Sequence, residues 1–285
     1  VSRSTYLDEI VAAHRARSSA DRRDLEELIE RAQALGATRG FARALVAGDG
    51  LVVVAEVKRR SPSKGALAPD LDPAAVAGEY ADGGAGALSV LTDEDYFGAR
   101  PTDLAAARAA CELPVLRKDF TVSEADVCDA RLMGADAVLL IVAALSDDEL
   151  DRFSALARRL SLDALVEVHD EAELTRAVDA GATVVGVNQR DLTTFEVDAD
   201  RALDLVGGIP PGVAAVAESG IRGADDAARL AAAGYDAVLV GESLVTAADR
   251  RAAVEALVGH RLGAGGDARR RPAASATDAH GARSR

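Results

Sequence analysis

Gly134-Ala-Asp-Ala-Val-Leu-Leu140 reads as a helix-ending glycine followed at once by a short apolar strand. The phrase recurs as Gly84-Ala-Gly-Ala-Leu-Ser-Val90, Gly181-Ala-Thr-Val-Val-Gly-Val187 and Gly234-Tyr-Asp-Ala-Val-Leu-Val240. Four more strand-like runs alternate with these, at 51–57 (LVVVAEV), 113–118 (LPVLRK), 163–168 (DALVEV) and 213–218 (VAAVAE). All eight are almost continuously apolar, as parallel strands covered on both faces must be. Amphipathic helical patterns follow them at 72–82, 101–110, 123–133, 146–160, 171–180, 199–206, 223–233 and 248–259. Ser123 and Ser146 stand where N-caps belong, each with carboxylates in the next turn. Eight βα units in about 210 residues predict an α/β protein, a closed (β/α)8 TIM barrel. A doubly wound open sheet usually has fewer strands and often a glycine-rich fingerprint after the first; neither is present.

Residues 1–50 precede the first strand and read as helices at 5–17 and 21–35, an N-terminal helical extension packed under or over the barrel. The barrel takes 51–262. Residues 263–285, rich in Gly, Ala, Arg and Ser, have no apolar period and are expected to form a disordered basic tail. The 285 residues carry a formal charge of −14; setting aside the +4 of residues 261–285 (six Arg, two Asp) leaves −18 on the first 260. So acidic a body argues against nucleic acid or an anionic membrane as partner. Two cysteines, Cys111 and Cys128, are too few for a disulfide scaffold and read as helix filler. Val1-Ser-Arg-Ser-Thr5 lacks a signal-peptide core, and the longest apolar run, Ala137 to Leu145, is too short to span a bilayer. A soluble cytoplasmic protein without a membrane partner is expected.

A barrel enzyme keeps its site at the C-terminal ends of its strands. Period-two alternation puts Val54, Glu56 and Lys58 on one face of the first strand, taken as the barrel interior. The third strand gives Leu116 and Lys118, and the fifth Leu165 and Glu167, with His169 next on that face. The sixth gives Val184, Gly186 and Asn188, with Arg190 beyond; the seventh gives Val216 and Glu218. Two lysines, three glutamates and the chain's only asparagine therefore converge on one rim. As separate pairs, Glu56–Lys58 and Glu167–Lys118 read as structural ion pairs closing the barrel. Gathered on one rim, so many titratable groups read as a catalytic site.

Lysine is rare here: three (Lys58, Lys64 and Lys118) against 30 arginines. A lysine kept against such a bias suits chemistry that a guanidinium cannot do, because an ammonium's pKa can be lowered until it yields a proton. The turns after the last two strands, Ser219-Gly220 and Gly241-Glu242, read as a phosphate cradle built from backbone N–H groups, helped by a short helix near 242–246. Glu242 has the wrong charge and would contribute only its backbone. A lone His169 reads as a surface or hydrogen-bonding residue. No His/Cys/Asp spacing suggests a metal, and none is expected.

Taken together, Glu56-Val-Lys58-Arg-Arg-Ser-Pro-Ser-Lys-Gly65, Leu116-Arg-Lys-Asp-Phe120, Leu165-Val-Glu-Val-His-Asp170, Gly186-Val-Asn-Gln-Arg-Asp-Leu192, Ala217-Glu-Ser-Gly-Ile221 and Val240-Gly-Glu-Ser-Leu244 closely resemble the indole-3-glycerol-phosphate synthase family. The likeness runs from about residue 5 to 260, in order, on six of eight strands. Phosphoribosylanthranilate isomerase shares the fold and cradle but lacks this lysine–glutamate set. The resemblance implies a carboxy-lyase of tryptophan biosynthesis that needs no cofactor and acts, as a monomer, on a small phosphorylated substrate, 1-(2-carboxyphenylamino)-1-deoxyribulose 5-phosphate. It further implies that Lys118 is the acid of ring closure and Glu167 an acid or base of dehydration. Lys58 would be Glu167's proton-donating or carboxylate-holding counterpart. Glu56 and Glu218 would orient the lysines and the substrate, and Asn188 a hydroxyl. Ser61 and Arg190 would help hold the aromatic carboxylate or neighbouring groups, and Phe97 and Phe120 would pack on the ring. Ser219, Gly220, Gly241 and Glu242 would hold the phosphate. Two departures stand out: Tyr96-Phe97-Gly98 continues Ala99-Arg100 instead of Gly-Ser, and Gln189 follows Asn188. A Schiff-base aldolase using Lys118 as nucleophile, and a barrel kept only as a binding scaffold, are the other readings.

Overall fold

The computed structural model describes residues 5–191 and 194–263. Eight parallel strands close into a barrel: β1 (Val52–Val57), β2 (Ala87–Leu91), β3 (Val115–Lys118), β4 (Ala137–Ile141), β5 (Asp163–Val168), β6 (Val184–Asn188), β7 (Ala214–Glu218) and β8 (Ala237–Val240). Each pairs with the next, and β8 closes on β1 through Val52 opposite Ala237. The predicted barrel is observed. Most of the tail expected at 263–285 lies outside the described residues.

Alternation decides which side chains meet. Val54, Leu116, Leu139, Leu165, Val184, Val216 and Leu239 form the inner cluster. Val53, Val90, Val138, Val166, Val185 and Val238 face outward into the layer of helices. The predicted inward face is therefore the true one on β1, β3, β5, β6 and β7. The strand-to-strand register sets Glu167 opposite Gly186, and Asn188 opposite Glu218, so the polar residues share one end of the barrel.

The extension serves both ends. Helix α1 (Tyr6–Ala20) begins with a capping box between Thr5 and Asp8 and crosses the C-terminal mouth. Arg15 holds it down, donating to Glu149 at 2.7 Å and to the carbonyl of Ala144 at 3.0 Å, just beyond β4. Helix α2 (Leu25–Gln33) packs on the outside, and α3 (Phe41–Leu45) plugs the opposite end with Phe41 and Leu45, both fully buried. Sequence periodicity does not predict α3. It is five residues long, and its N-cap, Gly40, has no side chain to announce it. Cys128 lies in a helix as expected, whereas Cys111 sits one residue past the helix Asp103–Ala110. Among the described residues no helix is long and apolar enough to cross a membrane.

Candidate active site

The mouth of the barrel holds a cavity of about 640 Å³, a size suited to a small molecule. Lys58, Lys118, Glu56, Glu167, Asn188 and Glu218 all line it, as the strand ends predict. Lys118 is the hub. Its Nζ lies 2.8 Å from Glu167 Oε2 and 3.2 Å from Glu218 Oε2. Glu167 Oε1 accepts from Asn188 Nδ2 at 3.1 Å, and Lys58 donates to Glu56 Oε1 beside them. The three glutamates are only 4%, 1% and 2% exposed.

One ammonium between two buried carboxylates cannot satisfy both equally. Burial alone would raise both glutamates, but Lys118, His169 and the Asn188 amide outweigh it at Glu167 and hold that carboxylate well below the usual range. At Glu218 burial wins, and repulsion from Glu167 and Glu56 pushes its pKa up to about 7 against the pull of Lys118. Glu218 Oε1 is buried without a hydrogen-bond partner among the described residues. Lys118 departs from the sequence argument. Burial acts to lower its pKa, yet Glu167, Glu218 and Glu56 outweigh burial and raise it. The lysine rests as a fully loaded ammonium, not as one on the point of ionising.

Two glycines make this packing possible by leaving room. A Cβ on Gly186 would lie 2.1 Å from Glu218 Oε1, and one on Gly241 would lie 2.3 Å from Glu56 Oε1. Gly241, expected at the phosphate cradle, leaves the room that the Glu56–Lys58 pair occupies. Ser219, Gly220, Gly241 and Glu242, the residues expected to hold a phosphate, line the same cavity. Ser219 and Gly220 both take left-handed backbone, with φ of 68° and 76°. Gln189, a departure from the family pattern, donates to the Ser219 carbonyl at 2.7 Å and so ties the β6 end to that turn. The Glu242 carboxylate lies 3.6 Å from Lys64 Nζ, which offsets the charge noted as unfavourable there.

Phe97 and Phe120 line the cavity with ring centroids 6.4 Å apart. Ser61 lines it too, its hydroxyl accepting from Lys64 N at 3.2 Å. Arg190 lines the wall, but its guanidinium donates to the Phe195 carbonyl at 2.9 Å. Asn188 likewise spends its amide on Glu167 and on the Arg190 backbone. The strand-end reading missed Tyr6 and Phe195, which meet edge to face at 5.3 Å across the mouth. Neither sits at a strand end: Tyr6 comes from α1, and Phe195 from a loop where its φ of 62° is left-handed.

Sequence spacing shows no metal set, yet the fold brings His14, Asp93 and Asp119 within 4.8 Å of one another. Their oxygens are already engaged. His14 Nε2 is 2.8 Å from Asp93 Oδ2, which also faces Arg17 at 3.6 Å. Asp119 Oδ2 accepts from Arg117 at 2.8 Å and from Thr92 at 2.5 Å. The cluster fastens α1 to the ends of β2 and β3.

A closed barrel with half-buried lysines and buried glutamates gathered in a cavity at its C-terminal mouth has the architecture of a barrel enzyme. Residues 7–257 match the family model described as "Indole-3-glycerol phosphate synthase". Indole-3-glycerol phosphate synthase 2 of Streptomyces coelicolor is 53% identical over 233 residues, 82% of this chain and 90% of the relative. The synthase of an Arthrobacter species is 50% identical, covering 87% and 93% respectively. A thiamine phosphate pyrophosphorylase from Pyrococcus furiosus superposes with a TM-score of 0.55 at 20% identity, over 75% of this chain and 95% of that one; it shows the shared fold alone. The chain belongs to the indole-3-glycerol phosphate synthase family, carboxy-lyases of tryptophan biosynthesis.

Proposed function

We propose that the protein closes the ring of 1-(2-carboxyphenylamino)-1-deoxyribulose 5-phosphate, with loss of CO₂ and water, through general acid–base catalysis by Lys118, Lys58 and Glu167. The observation that carries this reading is the Lys118 ammonium held between two carboxylates on the cavity wall. The phosphate sits in the turns at Ser219–Gly220 and Gly241–Glu242. The aromatic ring lies against Phe97 and Phe120, with its carboxylate toward Ser61 and Arg190.

As the aryl carbon attacks the ketone, the new carbon–carbon bond forms and the carbonyl π pair moves to oxygen. That oxygen takes a proton from Lys118. An alkoxide is more basic than an amine, so the transfer runs downhill even from a lysine with a raised pKa. The bond to the carboxylate then breaks, CO₂ leaves, and its electron pair returns to the ring. Lys58 protonates the departing hydroxyl, and Glu167 takes the last proton from carbon. Glu167 is 2.8 Å from Lys118 and returns that proton to it, so one proton per turnover is drawn from solvent through Lys58. Glu56 and Glu218 hold the two lysines in place, and Asn188 steadies Glu167.

The same electrostatics disfavour the aldolase reading, since a Schiff base needs a free amine at Lys118 and the carboxylates keep it charged. Incubation with the substrate should give growing indole fluorescence, and borohydride should trap no adduct. No fluorescence, or a trapped lysine adduct, would overturn the proposal.

A further inference from the structure

His169 stands next to the reacting groups, and the mechanism above gives it nothing to do. Its backbone N–H and ring Nδ1 both point at Glu173 Oε2, at 2.8 and 3.0 Å. An ionised carboxylate only accepts, so Nδ1 carries a proton. The other ring nitrogen, Nε2, is buried without a hydrogen-bond partner and faces Glu167 Oε1 at 3.6 Å. A bare lone pair there would face a carboxylate oxygen, an unfavourable contact. An N–H there would face its natural acceptor.

We propose that His169, anchored by Glu173, is a positioning residue whose imidazolium keeps Glu167 ionised and aimed at the cavity while Lys118 serves the substrate. The need for it follows from proton accounting. At rest the Lys118 ammonium balances Glu167 through Oε2. Once that ammonium gives its proton to the ketone oxygen, a neutral amine is left, and Glu167 stays buried with only the Asn188 amide against it. A buried carboxylate in that position takes up a proton and is lost as a base. Glu167's other ion-pair contact among the described residues is His169, on the Oε1 side. A movement of a few tenths of an ångström would turn the 3.6 Å approach into a charge-assisted hydrogen bond.

The surroundings favour the charged ring. Burial opposes the charge on His169, but the hydrogen bond to Glu173 and the charges of Glu167 and Glu173 outweigh it, with Arg201 acting the other way, and the net shift is upward. These groups come from β5 itself, from the helix Glu171–Asp179 and from the helix Arg201–Leu205.

The inference rests on the role given to Glu167 above, so its test includes that residue. The pH dependence of kcat is measured by indole fluorescence for wild type, His169→Gln, Glu173→Gln and Glu167→Gln, with the melting temperature of each. His169→Gln should lower kcat about tenfold with KM nearly unchanged, a fraction of what general acid–base groups contribute. It should also move the acidic limb of the profile up by about one pH unit, because a carboxylate without its neighbouring cation holds its proton longer. Glu173→Gln should move the limb the same way by less, since it weakens the charge on the histidine without removing the ring. Limbs that overlay wild type in both variants, or a loss of kcat that follows lost stability with no limb shift, would overturn the inference. If Glu167→Gln is inactive in that case, the proposed mechanism survives and only the role of His169 falls. An active Glu167→Gln would remove both.

Discussion

The two ends of the barrel both bury carboxylates and treat them in opposite ways. At the floor, Asp136 accepts from Arg39 N at 2.7 Å, from Val115 N at 2.8 Å and from the Arg108 guanidinium. Asp163 there accepts from Ala42 N at 2.8 Å, and Asp236 from Ala215 N at 2.9 Å. These aspartates tie strand starts, neighbouring strands and α3 together, and backbone N–H groups do most of the work. At the mouth, Glu167 and Glu218 share one lysine, and among the described residues neither Glu218 Oε1 nor His169 Nε2 has a hydrogen-bond partner. Buried polar groups are normally satisfied, so the unsatisfied ones mark where the fold waits for something else. The floor aspartates are held by backbone N–H groups, whereas the mouth glutamates face an open cavity.

Substitutions at the two ends should therefore fail differently. Lys118→Ala should lower turnover by about 10³-fold or more, a loss typical of a removed general acid, and leave phosphate-ligand affinity little changed. Asp136→Ala should instead destabilise the protein by about 3–5 kcal/mol, because it strands the backbone N–H groups of Arg39 and Val115 and takes the carboxylate from half-buried Arg108. Steady-state kinetics and chemical denaturation on both variants separate the cases; a large stability loss for Lys118→Ala would erase the contrast. Gly186→Ala comes next. Its methyl would displace Glu218 Oε1, and about 100-fold in kcat is expected from misplacing a group next to the reacting centre. Unchanged kinetics would mean that Glu218 does not need its place.

Glu218→Gln sharpens the comparison through pH. Burial raises the folded pKa of Glu218 to about 7, above its ordinary value. The native state therefore binds more protons than the unfolded chain between about pH 4.5 and 7, and stability falls as pH rises through that window. The amide should remove this penalty, giving about 3 kcal/mol of extra stability at pH 8 and nothing near pH 4, read from melting curves. A gain independent of pH would contradict the charge argument. The expected trade is better stability for poorer orientation of Lys118.

Much of this contrast is legible in the sequence. Four glycine-then-strand repeats and the four apolar runs that alternate with them give eight strands, and alternation from Val54, Leu116, Leu165 and Val216 puts Lys58, Lys118, Glu167 and Glu218 at one end. What is not legible depends on contacts between distant segments. Tyr6 and Phe195 are far apart in the chain and meet only once α1 crosses the mouth. The clamp of His14 on Asp93 spans 79 residues. The pull of two carboxylates on Lys118 is invisible until the barrel closes, which is why rarity suggested a lowered pKa where the geometry gives a raised one. Gly186 looks like a strand glycine until the space beside it is found filled by Glu218.

In the proposed mechanism Lys118 gives up a proton and does not merely hold a charge. Lys118→Arg tests this most directly, because a guanidinium keeps the cation between Glu167 and Glu218 but does not release a proton near neutral pH. The variant should fold, still bind a phosphate-bearing product analogue and give no indole fluorescence with the carboxyphenylamino-deoxyribulose phosphate. Turnover by Lys118→Arg within tenfold of wild type would contradict this mechanism.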